Sequence, residues 1–235
     1  LTWDSDATPS PALGVTTVVV GNCGFSIAPC PPECRDLIAR NLAEVEGMSL
    51  TALRSGTNWE FESFDEYLGL LRQKGVTPNV AAFIGHSAVR TMVMGEEASE
   101  RAANDDEVAA MRDLVVGGMD AGAIGFSTST SINHHGDGGV PMPSRLAEES
   151  ELRSLVSVLG EKGRGVFQLT VGPSMTSEVM ESMAADNDCP VFQTAALHNA
   201  AYPERANKMV SDSAAAQTRG NGLWAQVSCQ SLSMD

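Results

Sequence analysis

GVTTVVVGNCGFSIAP, residues 14 to 29, holds two signals in succession. Val15 to Val20 is an unbroken β-branched run, the pattern of a strand buried on both faces. The run then breaks into Gly-Asn-Cys-Gly, which places the Cys23 thiol between two glycines just past the strand. Glycines permit the tight turn that the valines before them resist.

Five further strand-like runs follow: NVAAFIGH from 79, GAIGFSTS from 122, GVFQLTVG from 165, PVFQTAAL from 190 and GLWAQVSCQ from 222. Segments of helical period lie between them. SFDEYLGLLRQKG opens with Ser63 and Glu66, the spacing of a capping box, and Gly75 ends it. Asn104 and Glu107 repeat the scheme ahead of an apolar stripe of Val108, Met111, Val115 and Met119. Leu152, Leu155, Val156 and Leu159 share one helical face, and Met175, Met180 and Met183 read as core filler. The last helix is expected to open at Pro203.

Strands alternating with helices imply parallel pairing through right-handed crossovers. The gap from Pro29 to Val76 exceeds what one helix requires. It predicts an insertion at about 30–62 within one domain, with RNLAEVEGMSLTALRSGTNWEF over the mouth of the sheet. A doubly wound sheet and a (β/α)8 barrel both fit this alternation, and in both function gathers at the carboxyl ends of the strands. Those ends are Cys23; His86 and Ser87; Ser127 to Ser131; Thr170; His198 and Asn199; and Ser228 to Gln230. Polar groups on six successive strands suit a barrel mouth, where an open sheet would concentrate them at one switch point. No GxGxxG follows the first strand and no GxxxxGK[ST] occurs, so nucleotide phosphate binding has no support.

The bulk composition narrows the classes further. A formal net charge of −15 over 235 residues argues against nucleic acid, whose phosphates call for an excess of Lys and Arg. No run approaches the ~20 apolar residues of a membrane span, and no basic-then-apolar leader is seen. Five scattered cysteines are too few for a disulfide scaffold in a chain of this length, so a reducing, cytoplasmic compartment is expected. Cys30 and Cys34, with no His nearby, read as loop cysteines.

Cys23 carries a resemblance. GVTTVVVGNCGFSIAP, together with LTWDSDATPS, NVAAFIGHSAVR, GAIGFSTSTS and PMPSRLAEESEL in register, resembles the N-acyl-D-amino-acid deacylases (D-aminoacylases) of the amidohydrolase superfamily. The resemblance covers nearly the whole chain. It implies an α/β fold, a (β/α)8 TIM-like barrel of the metal-dependent hydrolase type, present here as about strands 2–7. It implies zinc as cofactor, with Cys23 as a metal ligand. The reaction it implies is metal-assisted attack of hydroxide on the amide carbonyl of a small-molecule N-acyl amino acid. The family's His-x-His pair would lie before Leu1 and its aspartate beyond Asp235, so residues 1–235 alone are expected to be inactive. The unpaired sheet edges of such a piece leave room for a homo-oligomer.

The chain departs from the family pattern inside its own span. Where a His ends the fifth and the sixth strands of the family, this chain has Gln168, Leu169 and Thr170, then Ala195; His198 lies three residues later. A barrel that has lost its ligands and serves as a binding or scaffold protein is therefore the second reading. His86 is a candidate group facing substrate as general acid or base, with a packed structural histidine as the alternative. Arg90 is a candidate for a substrate carboxylate, with a surface ion pair as the alternative. His134, His135 and Asp137 cluster in INHHGDGGVPMPSR, read as an active-site lid hinged at Gly136, Gly138 and Gly139. Arg145 at its end is a second candidate for the substrate carboxylate.

Overall fold

The computed structural model describes residues 1–228. Its centre is one parallel sheet of six strands: β1 Thr17–Val20, β2 Asn79–Gly85, β3 Gly125–Ser129, β4 Val166–Thr170, β5 Val191–Thr194 and β6 Leu223–Gln226. Their spatial order equals their chain order, β1-β2-β3-β4-β5-β6. A doubly wound sheet reverses its strand order at a switch point. No reversal occurs here, so the sheet is the wall of an incomplete (β/α)8-type barrel.

Among the described residues eight helices accompany the strands: α1 Arg35–Val45, α2 Leu50–Gly56, α3 Phe64–Lys74, α4 His86–Met94, α5 Asp105–Ala121, α6 Glu149–Lys162, α7 Ser177–Asn187 and α8 Arg205–Thr218. Both capping boxes form, with the Ser63 side chain accepting from the Glu66 amide and the Asn104 side chain accepting from the Glu107 amide. The last helix begins at Arg205, two residues after the proline expected to open it. Residues 30–62 fold into α1, α2 and a short 3-10 turn, and α1 packs against the Asp137–Gly139 turn that follows β3.

The period of two along each strand sorts the side chains into two sets. Phe126, Phe167, Leu169, Val191 and Leu223 face the helices and are fully buried with Met111, Met119, Leu155, Met180 and Met183. Ser127, Gln168, Thr194 and Gln226 point to the other face, the inside of the barrel.

Two sequence expectations are corrected. Among the described residues β1 pairs with β2 alone and Val19 is 45% exposed, so the Val15–Val20 run is not covered on both faces. The β-branched pattern fits a pleated surface whichever way its second face is covered. His86 does not end the strand: β2 stops at Gly85, which is the N-cap of α4, and His86 is the first residue of that helix. Among the described residues no helix is long and apolar enough to cross a membrane.

Candidate active site at the strand ends

The Gly-Asn-Cys-Gly element forms a one-turn 3-10 helix, Asn22–Gly24, directly after β1. Gly21, Cys23 and Gly24 all have positive φ, at 84°, 59° and 78°. A side chain at Gly21 would meet the Phe83 carbonyl oxygen at 2.7 Å, and one at Gly24 would meet the Thr128 Cα at 2.9 Å. Both glycines are thus required twice over, by conformation and by the close passage of neighbouring backbone. Cys23 has no such excuse. It is an L-residue held in the left-handed region, where such residues are disfavoured.

Side chains from the inner face of the sheet hold this turn in place. The Gly24 amide donates to the Ser127 hydroxyl at 3.1 Å, and that hydroxyl donates in turn to the Gly21 carbonyl. The Cys23 amide donates to Gln168 Oε1 at 2.7 Å. Gln168 Nε2 then donates to the Thr194 hydroxyl at 2.8 Å, and Thr194 donates to Gln226 Oε1 at 2.6 Å. An amide–hydroxyl relay therefore runs from the cysteine turn across β4, β5 and β6, at the depth where a barrel enzyme places its chemistry.

The Cys23 thiol sits half-buried beside this relay. Burial raises its pKa above the ordinary 9.0; the Thr170 hydroxyl opposes the shift and the Glu46 charge adds to it. The thiol is neutral near pH 7, lacking the cationic surroundings that activate a cysteine. Thr170 Oγ1 is buried and makes no hydrogen bond of ordinary geometry, although it lies near enough to the thiol to affect it.

Zinc in a protein takes at least three side-chain ligands. Among the described residues no group of three His, Cys, Asp or Glu side chains could share an ion. The positions that would face Cys23 carry Gln168 and Thr194, whose polar groups are engaged with each other. His198 is exposed on the loop after β5. The donor set of residues 1–228 does not fit a zinc ion. Cys229 and Gln230 lie outside the described residues.

The other candidates are held elsewhere. His86 and Arg90 are fully buried on the helix side of the sheet. Glu151, at the start of α6 and 2% exposed, joins them. His86 Nε2 lies 2.7 Å from Glu151 Oε1, and His86 Nδ1 lies 2.8 Å from the Thr128 hydroxyl. A neutral ring protonated at Nε2 satisfies both contacts, donating to the carboxylate and accepting from the hydroxyl. Arg90 Nη1 donates to both Glu151 oxygens, at 2.7 and 2.5 Å, and Arg90 Nη2 donates to the Arg101 carbonyl at 2.8 Å. Arg90 does form an ion pair, as one sequence reading allowed, but inside the protein and not on its surface.

Burial pushes the His86 pKa below its ordinary 6.5 against the opposing pull of Glu151. For Glu151, burial acts upward, but the His86 bond and the Arg90 charge outweigh it and hold the carboxyl below the usual range. Glu151 escaped the sequence reading. Its one signal was a charge at the edge of the Leu152–Leu159 apolar stripe.

The INHHGDGGVPMPSR loop is pinned at several points. Arg40 of α1 ion-pairs with Asp137, and Asn41 Oδ1 accepts from the Asp137 amide at 3.0 Å. His134 is bonded to Ser129 Oγ at 2.7 Å and its ring meets Phe25 edge-on at 5.0 Å. Arg145 Nη1 donates to the His134 carbonyl at 2.9 Å. Next to this loop, a cavity of about 830 Å³ opens between the segments that follow β3, β4 and β5.

The family model described as amidohydrolase family matches residues 1–234. A D-aminoacylase from Alcaligenes xylosoxydans xylosoxydans is 43% identical over 127 residues, covering 52% of this chain and 23% of the relative. A crystal structure of D-aminoacylase superposes with a TM-score of 0.68 at 28% identity, covering 95% of this chain and 43% of the other. The N-acyl-D-glutamate deacylase of Bordetella bronchiseptica, solved with zinc and a phosphonate mimic of its tetrahedral intermediate, shares the fold with a TM-score of 0.64 at 23% identity. The chain thus spans less than half the length of the relatives it matches.

Proposed function

Because the chain belongs to the amidohydrolase family, as a relative of the D-aminoacylases, we propose that its protein hydrolyses the amide bond of N-acyl amino acids, the D-series first. One observation carries this reading: the family match runs from residue 1 to 234, in register with a barrel wall whose inner face is polar at successive strand ends. Barrels host many chemistries, so the reaction is inferred from family and strand-end residues together.

In this reading Cys23 and Thr170 are the groups of this chain that face the scissile amide, as donors that orient the carbonyl. Ser127 and Gln168 hold the turn that presents Cys23. His86 and Arg90 act as positioning residues, because His86 fixes Thr128 and with it the strand that carries Ser127. Arg145 shapes the loop at the mouth. A metal ion, were one held at the strand ends, would supply carbonyl polarisation and water activation. Residues 1–228 offer such an ion a single soft ligand, Cys23, which is too few to hold it.

The test is amine release from N-acetyl-D- and N-acetyl-L-methionine, -leucine, -aspartate and -glutamate by the full-length protein, with and without added zinc. Release from the D-series above a buffer blank is expected. No release from any of the eight under either condition would overturn the proposal.

A further inference from the structure

We infer that His134 is a further catalytic residue at this mouth, whose Nε2–H donates to the carbonyl oxygen of the scissile amide and bonds more strongly to the oxyanion that replaces it. This inference rests on the proposed amide hydrolysis, and it names one group that stabilises the transition state.

His134 belongs to the loop that follows β3, and its backbone is fixed from two directions. The His134 carbonyl accepts from the Met142 amide at 3.2 Å and from Arg145 Nη1 at 2.9 Å. The ring folds back onto the strand, with Nδ1 2.7 Å from the Ser129 hydroxyl. Ser129 closes β3 two residues after Ser127, on the same inner face, and its register partner on β4 is Thr170. The ring also meets Phe25, two residues after Cys23, with centroids 5.0 Å apart. It therefore stands between the cysteine turn and the end of β3, at the level of the Thr170 hydroxyl.

The Ser129 hydroxyl decides where the imidazole proton sits. Its oxygen already accepts from the Ser131 amide at 3.1 Å, and the residue is sealed from solvent. Its one proton finds its acceptor, among the described residues, in the lone pair of His134 Nδ1. The ring proton is then on Nε2, and Nε2 is neither buried nor bonded to another described residue. Burial lowers the His134 pKa below the ordinary 6.5, and the charges of Arg145 and His135 push the same way, so the ring is neutral near pH 7. A neutral imidazole of this kind donates without giving up its proton, and a ring already fixed in place needs no reorganisation as charge develops on the oxygen. His86 has both ring nitrogens engaged inside the protein, and His135 and His198 are exposed. Of the four histidines, His134 alone is half-buried, held at one nitrogen and open at the other.

Two substitutions in the full-length protein separate the two ring nitrogens. His134→Asn keeps an oxygen where Nδ1 accepts from Ser129 and removes the Nε2 donor, whereas His134→Gln keeps a donor near Nε2 and drops the Ser129 contact. Loss of one oxyanion donor lowers kcat by roughly 10²–10³-fold, so His134→Asn should fall by that factor in amine release from the N-acetyl-D-amino acids, with KM little changed. His134→Gln should retain most of the activity. Calorimetric titration with N-methylphosphonyl-D-leucine, whose P–O⁻ imitates the oxyanion, should show a parallel loss of affinity in the Asn variant alone. An Asn variant with wild-type kcat, or equal losses in both variants, would make His134 a strut of the loop and overturn the inference while hydrolysis stands. If the wild type releases no amine, the reaction falls and the titration alone decides. A loss confined to His134→Asn then keeps His134 as the anion donor, and no binding or no loss removes it.

Discussion

The two sides of strand β3 treat polar groups in opposite ways. On the helix side, Thr128, His86, Arg90 and Glu151 are sealed from solvent, and nearly every donor meets an acceptor. On the barrel side, Ser127 belongs to a half-open set in which Cys23 is only half-buried and the Thr170 hydroxyl makes no hydrogen bond of ordinary geometry. The first arrangement resists change because each charge is compensated by another. The second leaves polar atoms for something outside the chain to satisfy. Residues one position apart on one strand thus divide between holding the fold and serving its mouth.

The sharpest way to break this contrast is to remove the shared carboxylate of the sealed side. Glu151→Ala leaves the Arg90 charge buried without compensation and strips His86 of its acceptor. Losing one partner of a buried ion pair costs about 3–5 kcal/mol. Urea denaturation of the variant should show a loss of that order, and a loss under ~1 kcal/mol would mean that the cluster does not hold the helices to the sheet. On the mouth side, Gln168→Ala leaves the part-buried Cys23 amide without an acceptor. An unsatisfied buried donor costs about 1–3 kcal/mol, so the same measurement should give the smaller loss.

The pH dependence of the sealed side sharpens the contrast further. Because the folded protein holds the His86 pKa below the ordinary 6.5, the unfolded chain takes up a proton first as the pH falls. The stability that the neutral ring contributes is complete above that value and is lost as pH drops from 6.5 toward the folded pKa. Glu151, held below its ordinary 4.5, follows the same sign in a more acidic window. Urea midpoints at pH 7.5, 6.5 and 5.5 should therefore fall for the wild type and fall less for His86→Gln. Equal slopes in the two proteins would place the titration elsewhere.

The backbone of this molecule was legible because period and capping are local properties. All six strands and both capping boxes follow from apolar runs and from Ser63, Glu66, Asn104 and Glu107, which carry their signals within a few residues. Burial of a particular side chain is not local. His86 and Arg90 sit four residues apart on what proved to be a helix, and only the approach of Glu151 from α6 decides that they face inward. Helix α4 itself was missed because β2 runs into it with no loop and no polar cap between. The same limit applies to Gln168. The sequence showed the absence of an imidazole, but not that the amide holds the Cys23 turn.

The finest test concerns Cys23 alone. At φ 59° it occupies a conformation that costs an L-residue roughly 1–2 kcal/mol and glycine nothing. Glycine gives back part of that gain through the greater freedom of its unfolded chain. Cys23→Gly should therefore raise stability by ~1 kcal/mol, the one substitution at this mouth expected to stabilise the protein. Strain of this kind persists where the side chain has work to do. If the thiol orients the amide, the Cys23→Gly protein will be the more stable and the less active, judged by amine release from N-acetyl-D-leucine. If it gains stability and keeps full activity, the thiol takes no part in the reaction. In that case the mouth works through Thr170 and the relay behind it.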